Sequence, residues 1–336
     1  MSLEPSGITV TPTSRYGSVA GRRWPVDVAP APGELLSSWL HRLAHANGVP
    51  PRYFGGFLGA AGENWSARLD RRLPERILHQ LIEHTRVPLE DIAGLAFAPD
   101  PFARLRLPLR PGRGETCVSG SQPNWLQFCP ECLVEDETPY FRRGWTLATR
   151  VSCFRHGCRL RDRCPACRGG LAPFRQDRLV PHQFCALCGA ELGKSTAPAA
   201  HGVRRLERLI DDLLRLHAAG HRPRGKTSLP GLLGAACFTS GAEHRSITRL
   251  SHRDRYRLLR RLSVGSFPFK EGRKSAAMAC WARIAEAAPT YRRLAASFAE
   301  AVMPRIAPGL VTPSARPDLA DLLRAAARLH ANSDAP

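Results

Sequence analysis

Cys129-Pro-Glu-Cys132, Cys153-Phe-Arg-His156, Cys164-Pro-Ala-Cys167 and Cys185-Ala-Leu-Cys188 are four couples of metal-ligating side chains that follow one another in the chain. Each couple has two residues between its ligands, the spacing at which a tight turn aims two side chains at one ion. Twenty residues separate Cys132 from Cys153, and seventeen separate Cys167 from Cys185. Both gaps are close to those of zinc ribbons. The pattern predicts two tetrahedral sites, one of three cysteines and a histidine and one of four cysteines, each holding a Zn2+ ion. With four protein ligands no coordination position is open, so these ions are expected to be structural. Cys158 stands two residues after His156 and is an alternative ligand; His156 keeps the spacing of the other couples. Cys117, Cys237 and Cys280 have no partner at ligand spacing and are expected to be buried, small apolar residues.

Working outward, residues 129–193 form the expected tandem zinc-binding region. Residues 99–128 are rich in Pro, Gly and Arg and read as a linker. Upstream, 34–98 carries a helical pattern. Leu35, Leu36, Trp39, Leu40 and Leu43 recur at helical spacing, with Gly48 and Pro50 as stops. Leu73-Pro74-Glu75 and Pro88-Leu89-Glu90 open further helices. Helices joined by short turns invite a helix-turn-helix-like reading, without an obvious basic recognition helix. Residues 1–33 are expected to be extended. Residues 200–336 read as a helical domain, with an amphipathic helix over 203–217 and others near 251–264, 274–286, 290–303 and 317–331. The fold class expected is thus mainly α with small zinc-ribbon β elements.

The 336-residue chain has 49 basic and 29 acidic residues, a formal net charge of +20. An excess of that size favours a polyanion as partner, with nucleic acid first. Ten arginines lie between positions 142 and 178 against two aspartates, Asp162 and Asp177. Arg142, Arg143, Arg150, Arg155, Arg159, Arg161 and Arg163 are the expected nucleic-acid contacts, interleaved with Tyr140, Phe141, Trp145 and Phe154. Trp145 and Phe154 also suit a small ribbon core. No apolar run reaches the roughly 18 residues of a membrane span. The N-terminus shows no leader pattern, so the expected location is the cytoplasm, associated with the nucleoid. Eleven cysteines in a reducing compartment point to metal before disulfides.

Gly220-His-Arg-Pro-Arg-Gly225-Lys226-Thr227 fits the phosphate-loop pattern, but that loop needs a strand before it and a helix after it. Here a helix precedes it and Pro230-Gly231 follows, so ATP binding is not expected. Neither a His-Glu-x-x-His helix nor a deaminase pattern is present. The expectation is a binding protein without catalytic residues.

Two stretches carry a resemblance. Pro32-Gly-Glu-Leu-Leu-Ser-Ser-Trp39-Leu40-His-Arg42-Leu43-Ala44-His-Ala-Asn47-Gly48 resembles the amino-terminal signature of TniQ-family transposition proteins. Phe128-Cys-Pro-Glu-Cys132-Leu, Pro139-Tyr-Phe-Arg142-Arg143-Gly-Trp145, Cys153-Phe-Arg-His156-Gly-Cys-Arg-Leu160 and Arg163-Cys164-Pro-Ala-Cys167, in that order, resemble its zinc region. The resemblance covers roughly residues 30–190. It implies a target-selection factor of the TniQ/TnsD type that acts with an AAA+ ATPase regulator and, through it, a DDE transposase. Its target side would be a DNA site, a resolution site or a CRISPR RNA-guided complex on DNA, and a homodimer is also entertained. It assigns the zinc ligands to Cys129, Cys132, Cys153 and His156, and to Cys164, Cys167, Cys185 and Cys188. The long carboxy-terminal DNA-binding extension of TnsD proteins is not expected here. The competing reading is a zinc-ribbon/helix-turn-helix transcription regulator that binds an operator alone.

Overall fold

A computed structural model describes residues 23–60, 65–97, 99–109, 123–219, 227–236, 238–240, 243–266 and 275–290. Helix α1 (Leu36–Ala46) forms where the apolar stripe predicted it, with Leu36, Trp39, Leu40 and Leu43 wholly buried. It ends at Asn47, and Gly48 takes the left-handed conformation (φ 72°) that a side chain would resist. Pro51 opens α2 (Pro51–Phe57) at the one position where a missing N–H costs nothing. Helices α3 (Arg68–Arg71), α4 (Glu75–His84) and α5 (Leu89–Leu95) follow, the last two immediately after Pro74 and Pro88. Helix α6 (Pro130–Glu135) lies in the metal region and is capped by the Cys129 side chain.

The carboxy-terminal part holds α7 (His201–Ala218), α8 (Leu229–Leu233), α9 (His252–Ser263) and α10 (Ala276–Ala287). The last three start at Ser228, Ser251 and Ser275, whose side chains accept the N–H of Gly231, Asp254 and Met278. Strands β1 (Phe238–Ser240) and β2 (Glu243–Arg245) pair antiparallel, with Phe238 opposite Arg245. Among the described residues the structure is mostly helical with few strands, as the sequence implied. The ribbon β elements of the metal region are isolated bridges, Phe128 to Arg161, Ser152 to Arg159 and Phe184 to Glu191. The helices expected at 290–303 and 317–331, and the extended segment 1–33 up to residue 22, lie outside the described residues.

Two apolar cores hold the molecule, and neither respects the sequence boundaries. The first joins Leu35 and, from α1, Trp39 and Leu43 to Trp125, Phe128, Phe141, Trp145, Phe174 and six metal-region cysteines. The amino-terminal helices and the metal region are therefore one body. Residues 99–128 are not a plain linker either. Leu105 and Leu107 belong to the second core, with Leu147, Ala148 and Val151 and the residues of α7 to α10. Arg106 is pinned by Asp100 at 2.5 Å and by Thr146 Oγ1 at 2.6 Å, and its guanidinium lies over the Phe97 ring. Trp125 and Phe128 pack in the first core. Residues 110–122 of this stretch, including Cys117, are outside the described residues, as is Cys237. Cys280 is buried in the second core.

Candidate metal centres and their arginine surround

The three later ligand couples share one backbone design. In Cys153–His156 the Gly157 N–H returns to the Cys153 carbonyl (2.9 Å), and the Cys153 N–H reaches the Cys158 carbonyl (2.8 Å). Cys164–Cys167 repeats this with Arg168 (3.1 Å) and Gly169 (2.8 Å), and Cys185–Cys188 with Gly189 (2.8 Å) and Ala190 (2.9 Å). The residue after the second ligand is left-handed each time: Gly157 at φ 67°, Arg168 at 62° and Gly189 at 76°. Glycine meets that demand at no steric cost, whereas Arg168 carries a strain of roughly 1 kcal/mol. Cys129–Cys132 is built differently. Cys129 precedes α6, and its sulfur accepts the Cys132 N–H at 3.4 Å.

These turns bring together two groups of four donors, Cys129, Cys132, Cys153 and His156, and Cys164, Cys167, Cys185 and Cys188, all donors of a group within 4.8 Å of one another. His156 Nδ1 lies 3.3 Å from the sulfurs of Cys129 and Cys132 and 3.6 Å from that of Cys153. Cys132 and Cys153 sulfurs are 3.6 Å apart, Cys164 and Cys188 3.7 Å, and Cys167 and Cys185 3.8 Å. A tetrahedron with metal–sulfur bonds of about 2.3 Å has edges of about 3.8 Å, so the donors fit a zinc-sized ion. The other ring nitrogen of His156, Nε2, pairs with Glu135 at 2.8 Å, which fixes the ring with Nδ1 facing the sulfurs. The first centre is buried in the core, while Cys188 of the second is exposed. Cys158 does not join the group of four. It is buried, with its sulfur 3.4 Å from that of Cys129 alone.

The arginines expected to meet nucleic acid hold the metal region together from within. Arg142 pairs with Asp136 at 2.8 Å and lies over the Tyr140 and Trp145 rings. Arg143 donates to the carbonyls of Gly94 and Ala96 in and beyond α5. Arg150 pairs with Asp211 of α7 and covers Phe154. Arg159 lies over Tyr256 of α9, Arg161 donates to the Ser195 carbonyl, and Arg163 donates to the Arg168 carbonyl. Arg155 reaches Glu135 and Asp136 at 3.0 and 3.1 Å but keeps 56% of its side chain in solvent. Charge counted along residues 142–178 omitted the carboxylates that neutralise it, Glu135, Asp136 and Asp211.

Sequence reading missed the polar joints around these centres. Ser38 Oγ accepts the Phe141 N–H and meets Glu34, while the ring of His182 bonds both Ser38 Oγ and its carbonyl. Burial raises the pKa of Glu34, and burial lowers that of His41, whose ring lies 3.8 Å from that of His182, to about 4. On the other side, Glu207 of α7 accepts from the N–H groups of Val151 and Ser152, just ahead of Cys153. Arg255, wholly buried on α9, donates to Gln127 Oε1 and the Ala148 carbonyl, both at 3.2 Å.

A family model described as TniQ matches residues 25–160. The chain carries a TniQ domain. The matched span takes in α1 to α6 and the whole first metal centre, and it ends before Cys164. The second centre and the carboxy-terminal helices follow the TniQ domain in the chain. No curated protein matches the chain. No helix among the described residues is long and apolar enough to cross a membrane. A TniQ domain implies an association with transposition target selection.

Proposed function

We propose that this protein is a non-catalytic adaptor of transposition: it binds the target DNA, or an RNA-guided complex on DNA, and recruits an AAA+ ATPase regulator that brings the DDE transposase. The observation that carries the reading is the TniQ domain closing around a four-donor centre. Zinc suits both donor sets by ligand type and spacing, and it would serve as a folding staple rather than a Lewis acid, because four protein ligands leave no place for substrate. The location proposed is the bacterial cytoplasm.

The ATPase side falls to the amino-terminal helices. Between residues 34 and 98 seven basic residues face seven acidic ones, a balance that suits protein contact. Tyr53 and Phe57, one helical turn apart on α2, are 57% and 60% exposed. Single exposed apolar side chains are ordinary, but an aromatic pair on one turn offers a partner an anchor. The test is co-precipitation of an AAA+ transposition ATPase from the same genome with the full chain, intact and as Tyr53→Ser with Phe57→Ser. Capture by the intact chain and its loss in the double variant support the reading. Failure of the intact, metal-loaded chain to capture the ATPase overturns it.

A further inference from the structure

The net charge of +20 favours a polyanion as partner, yet most metal-region arginines have internal partners. Helix α9 is different. Its sequence, His-Arg-Asp-Arg-Tyr-Arg-Leu-Leu-Arg-Arg-Leu-Ser, buries Arg255, Tyr256, Leu258, Leu259 and Leu262 against the second core. Arg253, Arg257, Arg260 and Arg261 are exposed. At 100° per residue these four fall within one arc of about 100°, and the first and last are about 12 Å apart along the axis. Asp254 is the one acidic residue of the helix, and it sits at the edge of the arc, 3.5 Å from Arg257. Arg253, Arg260 and Arg261 form no ion pair among the described residues.

We infer that this stripe, Arg253, Arg257, Arg260 and Arg261, is a contact surface for the phosphate backbone of duplex DNA. The inference rests on the reading of the protein as a DNA-targeting adaptor and gives that reading a surface. Four guanidinium groups on one rigid helix face suit regularly spaced phosphates. The duplex is favoured over a single strand because the stripe offers no aromatic face for unpaired bases: Tyr256, the one Phe, Tyr or Trp on α9, is 7% exposed and lies under Arg159. The helix is also a firm mount. Arg255 ties it to Gln127 and Ala148, and Gly202 of α7 lies against Ser263, where an added Cβ would come within 3.0 Å of the hydroxyl.

The experiment uses the full, metal-loaded chain and a labelled duplex of arbitrary sequence. Arg253→Gln, Arg257→Gln and Arg260→Gln are combined, with an equally charge-reduced control, Arg52→Gln, Arg72→Gln and Arg76→Gln, whose side chains are exposed elsewhere. All six sites are on the surface, and thermal unfolding of each triple variant checks that the fold is kept. The expected result is a tenfold or greater loss of duplex affinity in the α9 variant, with a log–log salt slope shallower by about 2 to 3, and less than a threefold loss in the control. Equal losses in the two triples would overturn the assignment to α9 while leaving DNA binding intact. Preference for a single strand of the same length, unchanged by the α9 variant, would overturn the choice of duplex. Absence of any duplex binding by the intact chain would overturn both the inference and the reading beneath it.

Discussion

Ser38 Oγ accepts the backbone N–H of Phe141 at 2.9 Å, across 103 positions of sequence, and so fastens the first long helix to the metal region. The same hydroxyl donates to the buried carboxylate of Glu34 at 2.8 Å. Replacing it leaves a buried N–H without an acceptor and takes the donor from Glu34 Oε1, while Oε2 keeps Ala31 and Arg42. Ser38→Ala is expected to lower stability by about 1–3 kcal/mol, measured by denaturant unfolding of the metal-loaded chain. A change within experimental error would show that this joint does not form in solution.

Metal analysis of the purified chain is expected to return two zinc ions per molecule. Glu135→Gln should weaken the first centre by about 10- to 100-fold, because it loosens the ring of His156, while leaving the second unaltered. Competition with a chromogenic chelator separates the two stoichiometric steps. Cys129→Ser should cost far more stability than Cys280→Ser, since only the former removes a ligand and with it folding energy. Folded protein free of zinc would end the metal assignment.

Arg168 occupies a left-handed position that glycine fills in the two sister turns. Arg168→Gly is therefore expected to raise stability by roughly 0.5–1 kcal/mol, although it deletes a charge and a long side chain. Gly157→Ala should do the reverse, by at least as much. Thermal unfolding of both variants decides the matter, and a destabilised Arg168→Gly would mean that its side chain supplies more than the backbone loses.

Glu207 supplies a pH dependence. Burial pushes its carboxyl up to about 7 from an ordinary 4.5, against the lowering effect of Ser152, Val151 and Arg150. The folded chain then keeps a proton that the unfolded chain releases, so this residue makes stability fall as pH rises from about 4.5 to about 7, with no further change above. Glu207→Gln keeps an acceptor for the Val151 and Ser152 N–H groups and should flatten that window. Urea midpoints across pH 5 to 8 provide the measurement; an unaltered slope in the variant would place the titrating group elsewhere.

The two donor clusters were legible because their members are local: a couple with two intervening residues needs only its own turn to converge. Helices α1, α4, α5, α7, α9 and α10 were legible for a related reason, since apolar period, proline and serine caps act within a few residues. The merging of residues 34–98 with the metal region was not legible, because it depends on pairs such as Ser38 and Phe141 that no local window contains. The internal partners of the arginines were hidden for the same reason. Arg150 finds Asp211 sixty-one positions away, so a charge count over its own neighbourhood could not reveal that it was spoken for. The two-residue spacing favoured His156 over Cys158, and the fold groups His156, not Cys158, with the three cysteines.

Arg255 and Glu207 reach from the carboxy-terminal helices to Gln127, Ala148, Val151 and Ser152, all within five residues of a first-centre donor. This has a consequence for inheritance. A lineage cannot trade the carboxy-terminal helices for an unrelated module and leave the remainder as it was, because the exchange would strip buried backbone groups of their partners beside Cys129 and Cys153. New target preferences in such a lineage would have to arise by altering the outward faces of these helices, residue by residue, while the inward arginine and glutamate stay in place.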